Sequence, residues 1–361
     1  LLYSIQHLSS FAEKVFLACG FSDEDARHSS LFLTKADLRG IDSHGVARLS
    51  GYVRLIREDR LNPKPNLKWE SRFPTLWHLD ADRAIGFVSA REGMLRCISA
   101  AQSYGVGMVA IKNSNHFGIA GQYALLAAEA GLIGMAFTNA SPLVAPTHSI
   151  DRLLGTNPIS VAIPSQSSRP FVLDMATTTA ANGKLEILQR KSQKAPEGWL
   201  QKSDGSSSTD PGELRAGGAL RPLGSSPDMG SHKGYGLGAL VDILSGVVSG
   251  ANFGPWVPPF VSFLPVAEQG VGQGIGHFLV AFRPDGFMPQ NEFLERMEIW
   301  MKAFRTSESL EGHRVLVPGD PEWEMEDQRS LAGVPLLAPV VEDLNRLASE
   351  LQLPLFSSDH S

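Results

Sequence analysis

Ala101-Gln102-Ser103-Tyr104-Gly105-Val106-Gly107-Met108-Val109-Ala110 carries the spacing G-x-G-x-x-A, the signature of a loop that cradles a dinucleotide pyrophosphate. Such a loop needs a strand before its first glycine and a helix after it, because the phosphates sit on the helix N-terminal amides. Here the order is reversed. Residues 89–104 are Ala-rich and read as a helix, and residues 106–112 read as a strand, so Gly105 closes a helix rather than opening one. The spacing recurs at Gly234, Gly236 and Ala239, where a helix over 237–248 does follow. A polar loop precedes it, however, and no acidic residue lies about twenty positions on to hold a ribose. Both tests argue against a doubly wound dinucleotide-binding fold, while Lys233 beside the second helix start leaves that end able to hold an anion.

Outward from Gly105, short β-type runs alternate with Gly and Pro punctuation at 75–79, 133–138, 159–163, 171–173 and 277–282, and a second Ala-rich helix fits 121–130. Toward the N-terminus, apolar residues recur at three and four: Leu8, Phe11, Val15, Ala18; Leu31, Leu33, Ala36, Leu38; Val46, Leu49, Val53, Ile56. This spacing predicts three helices. Gly20 ends the first, Ser22 with Asp25 opens the second, and Asp42 or Ser43 caps the third. Asn62-Pro63-Lys64-Pro65 reads as a linker, residues 190–232 as a long polar loop outside the core, and 293–304 and 340–351 as helices. The simplest assembly is an α+β protein: a helical domain from residues 1–75 joined by 335–361, around a β-rich domain over 76–334 that carries the loop.

At 361 residues the chain suffices for one large or two ordinary domains, and 43% hydrophobic against 19% charged residues is the composition of a folded globule. A net charge of −6 offers no general footprint for nucleic acid or an anionic membrane. Cys19 and Cys97 are far apart, which excludes a disulfide framework and a C-x-x-C pair and fits a reducing compartment. With no basic-then-apolar leader and no run of about 18 apolar residues, a cytoplasmic protein is expected.

The chemistry concentrates in Asp42-Ser43-His44-Gly45, followed by Arg48 and Tyr52. Spaced i, i+4, i+8, His44, Arg48 and Tyr52 share one face of the predicted third helix. An imidazole exchanges a proton near neutral pH, and a guanidinium clamps a carboxylate, a set suited to a substrate with a carboxylate beside a carbonyl or hydroxyl. The same residues fit a solvated helix face with a capping Ser43. Asn113-Ser114-Asn115-His116-Phe117-Gly118 follows a strand, where binding loops commonly lie, yet a lone His there also serves as a structural hydrogen-bonder. Asp174-Met175-Ala176-Thr177 and Gly155-Thr156-Asn157-Pro158 invite the same two readings, ligand contact or turn. No metal motif and no G-x-S-x-G nucleophile occurs, so no metal site is expected.

Seven blocks spread along nearly the whole chain resemble the type-2 malate/L-lactate dehydrogenase family: residues 35–49, 115–118, 139–146, 155–158, 174–177, 232–237 and 315–322. Ureidoglycolate and sulfolactate dehydrogenases, diketogulonate reductase and piperideine-2-carboxylate reductase belong to the same family. The resemblance implies a homodimer in which a non-Rossmann, largely antiparallel β-domain holds NAD or NADP and the helical domain closes over it. It implies hydride transfer between the nicotinamide and C2 of a 2-hydroxy acid, a 2-oxo acid or a cyclic imino acid. Carried over by position, it makes His44 the proton carrier, with Ser43 and Asp174 orienting it and His116 the alternative base. Arg48 becomes the carboxylate clamp, and Tyr52 and Thr156 line the substrate. Cofactor contacts fall on His116, Phe117, Gly118, Ile119 and Ala120, on Asp174, Met175 and Ala176, on His232 and Lys233, and on Pro318, Gly319 and Asp320. Two stretches depart from the family pattern, Thr147-His148-Ser149-Ile150 and the apolar run from Trp256 to Pro265, which changes the expected substrate through an apolar wall. The rival reading is a non-catalytic ligand-binding or scaffold protein on the same fold.

Overall fold

The computed structural model describes residues 1–167 and 169–356. Its first two helices form as their spacing predicts. α1 (Ile5–Ala18) is followed by Gly20 at φ +93°, and α2 (Asp23–Leu38) opens on Ser22, whose hydroxyl accepts the Asp25 N–H at 3.2 Å. The third helix departs from expectation: neither Asp42 nor Ser43 caps it. Residues 41–45 form a turn, Val46–Arg48 is one 3-10 turn, and α3 (Leu49–Arg57) starts only after it. The cause is Asp37 near the end of α2. Its carboxylate accepts the Val46 N–H at 2.8 Å, drawing the backbone so close that a Cβ on Gly45 would lie 1.9 Å from a carboxyl oxygen.

The main strands are β1 (Lys68–Phe73), β2 (Leu76–Ala84), β3 (Val106–Ser114), β4 (Ile133–Thr138), β5 (Ile159–Ile163), β6 (Phe171–Met175) and β7 (Ile275–Phe282), in spatial order β1-β2-β3-β7-β4-β5-β6. β2 and β3 run parallel, linked by the crossover helix α4 (Gly86–Tyr104); every other neighbouring pair is antiparallel. Gly105, at φ +88°, ends α4 and leads straight into β3, so the G-x-G-x-x-A run lies on a helix-to-strand junction. α5 (Gly121–Glu129) packs beside α4, and Met94, Cys97, Val109, Ile111, Tyr123 and Leu279 share one core between helices and sheet. The last strand sits in the middle, which its near-continuous apolar sequence Ile-Gly-His-Phe-Leu-Val-Ala-Phe suits.

Downstream come α6 (Asn182–Arg190), α7 (Ser231–Asp242), α8 (Gln290–Arg305), α9 (Asp320–Ala332) and α10 (Ala338–Glu350). Leu344 and Leu347 of α10 join Leu8, Phe16, Leu49 and Tyr52 in a second core, and Leu2–Tyr3 pairs antiparallel with Val334–Pro335, so both ends of the chain build one helical layer. The stretch 190–232 is a correction to the sequence reading. It is not an open excursion: Leu200–Gln201, Ser207–Ser208 and Ala219–Leu220 form a small sheet, and Leu200, Leu214 and Leu220 pack with Leu143 and Leu185. α7 starts at Ser231, so Gly234, Gly236 and Ala239 lie inside the helix, where a Cβ on Gly234 would meet the Leu223 carbonyl at 2.3 Å. Among the described residues, no helix is long and apolar enough to cross a membrane, and no cluster of three or more His, Cys, Asp or Glu could hold a metal ion.

Candidate active site

Because Ser43 and His44 precede α3, the expected shared helix face does not exist; the turn does the positioning instead. It lays the His44 ring on the His116 ring at 5.7 Å and 18°. Tyr52, fully buried on α3, reaches the same place from below and bonds His116 Nδ1 at 2.7 Å. Phe260 also stacks on His116 at 4.6 Å and packs on Tyr52 at 5.1 Å. The Phe260 N–H donates to Ser141 Oγ at 2.8 Å and its carbonyl accepts from Arg54, which pins this loop residue. Gly51 makes room for the ring, since a Cβ there would lie 2.7 Å from it. The apolar stretch noted in the sequence therefore enters the site through Phe260.

Hydrogen bonding fixes the proton on His116. Its Nδ1 faces the Tyr52 hydroxyl and the Gly118 N–H at 3.4 Å; an N–H can only donate, so Nδ1 accepts and the neutral ring carries its proton on Nε2. Tyr52 stays a phenol, because burial pushes its pKa up. His44 Nδ1 lies 2.8 Å from Ser43 Oγ. Burial, then the Arg48 charge, lowers the His44 pKa to about 3, and burial, followed by His44, Arg48 and His277 nearby, holds His116 well below the usual histidine range. Both rings are neutral at pH 7, and each keeps an Nε2 without a hydrogen-bond partner among the described residues.

Arg48 lies beside this pair but is already engaged. Its Nε donates to the Ser43 carbonyl at 2.6 Å and its Nη1 to Glu186 of α6 at 2.9 Å. A cavity of about 760 Å³ opens on the Arg48 side, lined by Arg48, Glu186, Phe260, Arg54, Arg190 and Arg215 but by neither His44 nor His116, a size within the usual range for small-ligand sites.

Asp174 lies apart from His44. One carboxylate oxygen accepts the Gly121 N–H at 2.7 Å, at the start of α5, so the expectation that Asp174 orients His44 is replaced by a bond to the backbone. Crowding by protein raises its pKa to about 7, yet its side chain opens to solvent and accepts an N–H, both of which favour the ionised form. Asp174 shares a cleft of about 250 Å³ with Ile119, Arg39, Pro318, Gly319 and Glu322. Asp320 instead caps the Val317 N–H at 2.9 Å and pairs with Arg305 at 2.7 Å, and buried Phe117 stacks on His277 and makes a tilted contact with Tyr123. Gly118 turns the chain at φ +75°, and Ala120 is buried beside it at the α5 start. Met175 and Ala176 follow Asp174 half-buried, and the Thr156 carbonyl accepts the Thr177 N–H at 2.9 Å. His232 and Lys233 are exposed on the first turn of α7 and line neither cavity. Asn157 and Asn115 prove to be braces: Asn157 bonds Ala140 and Gly238, and Asn115 bonds three carbonyls before α4.

Glu186, Phe260 and His277 were not singled out by residue in the sequence. His277 is fully buried, with Nδ1 2.7 Å from Thr138 Oγ1 and Nε2 2.8 Å from Ser114 Oγ. One polar residue in the apolar strand 277–282 was its available signal.

A family model described as malate/L-lactate dehydrogenase matches residues 3–345. The malate dehydrogenase of Pyrococcus horikoshii is 39% identical over 95% of this chain and 94% of its own length. Among solved structures, malate dehydrogenase from Entamoeba histolytica superposes with a TM-score of 0.91 at 34% identity, covering 98% of this chain and 99% of that one. The delta1-piperideine-2-carboxylate reductase of Pseudomonas syringae gives 0.83 at 25% identity, over 96% and 100%.

Proposed function

The chain belongs to the malate/L-lactate dehydrogenase family, and from that premise we propose that it moves a hydride between NAD or NADP and C2 of a small carboxylate substrate, a 2-hydroxy or 2-oxo acid or a cyclic imino acid. The observation that carries this reading is the stacked His44–His116 pair, each ring with a spare Nε2 and braced by a hydroxyl at Nδ1, beside Arg48. When bound, the nicotinamide supplies or accepts the hydride at its C4. His44, neutral at pH 7, takes the proton of a substrate hydroxyl in the oxidative direction and returns it in the reductive one. His116 donates its Nε2–H to the oxygen or nitrogen that gains charge, with Tyr52 fixing the ring. Arg48 holds the substrate carboxylate, and Phe260 supplies an apolar wall that shields the transfer from water.

The residues around Asp174 fit part of a nicotinamide dinucleotide. The cleft offers an ionised acceptor for a ribose hydroxyl in Asp174, a guanidinium in Arg39, and backbone approach at Gly319, whose φ of +102° and 3.1 Å Cβ distance to the Val172 nitrogen leave little tolerance for a side chain. At 250 Å³ it accommodates a fragment, not the whole. A second copy of the chain is proposed to cover the apolar ridge of Leu237, Leu240, Ile243, Val247 and Val248, which are 37–54% exposed along α7 and the π-helical turn after it.

The test is oxidation of NADH and NADPH, read at the nicotinamide absorbance, with pyruvate, oxaloacetate, phenylpyruvate, 2,3-diketogulonate and piperideine-2-carboxylate. Turnover of one pair is expected. Cofactor binding without turnover of any pair would overturn the substrate class, and neither binding nor turnover would return the site to the non-catalytic ligand-binding reading.

A further inference from the structure

Two of the three nitrogens of the Arg48 guanidinium have hydrogen-bond partners among the described residues. Nε donates to the Ser43 carbonyl at 2.6 Å. Nη2 borders α6, where Gly183 packs so near that a Cβ on it would lie 2.8 Å from Nη2 and 2.4 Å from Ser43 Cβ. Nη1 carries both oxygens of Glu186, at 2.9 and 3.2 Å. Asn182, one turn earlier on α6, donates to Glu186 Oε1 at 2.8 Å and steers it there. The pair lines the 760 Å³ cavity with 14% and 23% of the two side chains exposed, so a carboxylate arriving from solvent reaches it without unfolding anything.

We propose that Glu186 is an internal carboxylate that competes with the substrate for Arg48, making it a specificity-determining residue of the site. This rests on the reading of Arg48 as the carboxylate clamp. A partly exposed ion pair contributes little net stability, so the exchange costs little, and a ligand with a planar carboxylate meets Nη1 in the same geometry that Glu186 leaves. Ligands without a carboxylate cannot replace it, and the pocket then keeps its own ion pair. Tethered to α6, Glu186 competes at a high effective concentration, which weakens every anionic ligand by a common factor.

Oxamate, a small carboxylate, is the probe, titrated calorimetrically into the wild-type protein and into Glu186→Gln, Asn182→Ala and Arg48→Gln. Glu186→Gln is expected to bind oxamate roughly threefold to tenfold more tightly, with KM for the carboxylate substrate falling by a similar factor. Asn182→Ala, which leaves Arg48 and Glu186 intact, moves affinity the same way by less. If Glu186→Gln binds oxamate no more tightly than wild type while Arg48→Gln has lost it, Glu186 merely orients Arg48 and the proposal is overturned. If Arg48→Gln binds as wild type does, the clamp reading fails, and the proposal with it. Because the expected result is a gain of affinity, a misfolded variant cannot mimic it.

Discussion

His116 and His277 lie on either side of Phe117, one next to it in sequence and one stacked on its ring at 4.7 Å, yet they are opposite kinds of histidine. His277 is saturated. Thr138 donates its hydroxyl to the Gly276 carbonyl and so accepts from Nδ1, and Ser114 serves Nε2. His116, like His44, is bonded at Nδ1 alone and keeps Nε2 for something else. Both environments lower the pKa by burial, so the shift does not separate them. The unspent nitrogen does: a saturated ring fixes structure, whereas a half-bonded one can pass a proton.

The strongest test of that contrast is His44→Ala, expected to lower kcat by about 10²–10⁴-fold with little change in the melting temperature. A loss below tenfold would remove His44 from the proton path. On the structural side, His277→Leu leaves Thr138 and Ser114 short of a partner and should cost about 1–3 kcal/mol in urea unfolding at pH 7. That cost has a predictable pH dependence. The His277 pKa is lowered to about 3 from 6.5, so its contribution is present above 6.5 and is lost as pH falls toward 3. The wild-type advantage over His277→Leu should therefore shrink by about 2 kcal/mol between pH 7 and pH 5. Comparing the two proteins cancels Asp37, whose pKa, raised to about 8 by burial, works in the opposite direction. Unfolding curves that stay parallel across that range would show that His277 is not held neutral. The smallest expected effect is Tyr52→Phe, which removes the hydroxyl from His116 Nδ1 and should lower kcat about twofold to tenfold. No change would mean that the Gly118 N–H alone suffices to hold the ring.

What the sequence made legible follows from how local each signal is. Ser22 and Gly20 mark their helix ends because caps act within one turn, and Gly105 announces the helix-to-strand order because its φ of +88° is a local demand. The turn at 41–45 escaped because its cause, the Asp37 carboxylate on the Val46 N–H, overrides a good capping pattern from outside the segment. Residues 190–232 hid a core because Leu200, Leu214 and Leu220 are sparse among Gly, Ser and Asp and find their apolar partners in distant segments. The family blocks brought His44, Arg48 and His116 forward together, and Tyr52 lies three residues past the first of them. Glu186 stands 138 residues from the arginine it holds, and no periodicity links them. Asp174 was noticed, but its hydrogen-bond partner is a backbone amide, which no side-chain pattern records.

Gly51 turns the depth of the pocket into a property of a helix that never touches the hydride. A methyl at that position would meet the Phe260 ring at 2.7 Å and drive it off its seat on His116. Changing glycine to alanine takes a single nucleotide, so one step suffices to reshape the wall over His116 without replacing any proton-handling residue. The catalytic apparatus and its choice of substrate can thus drift separately, because they are written on different codons.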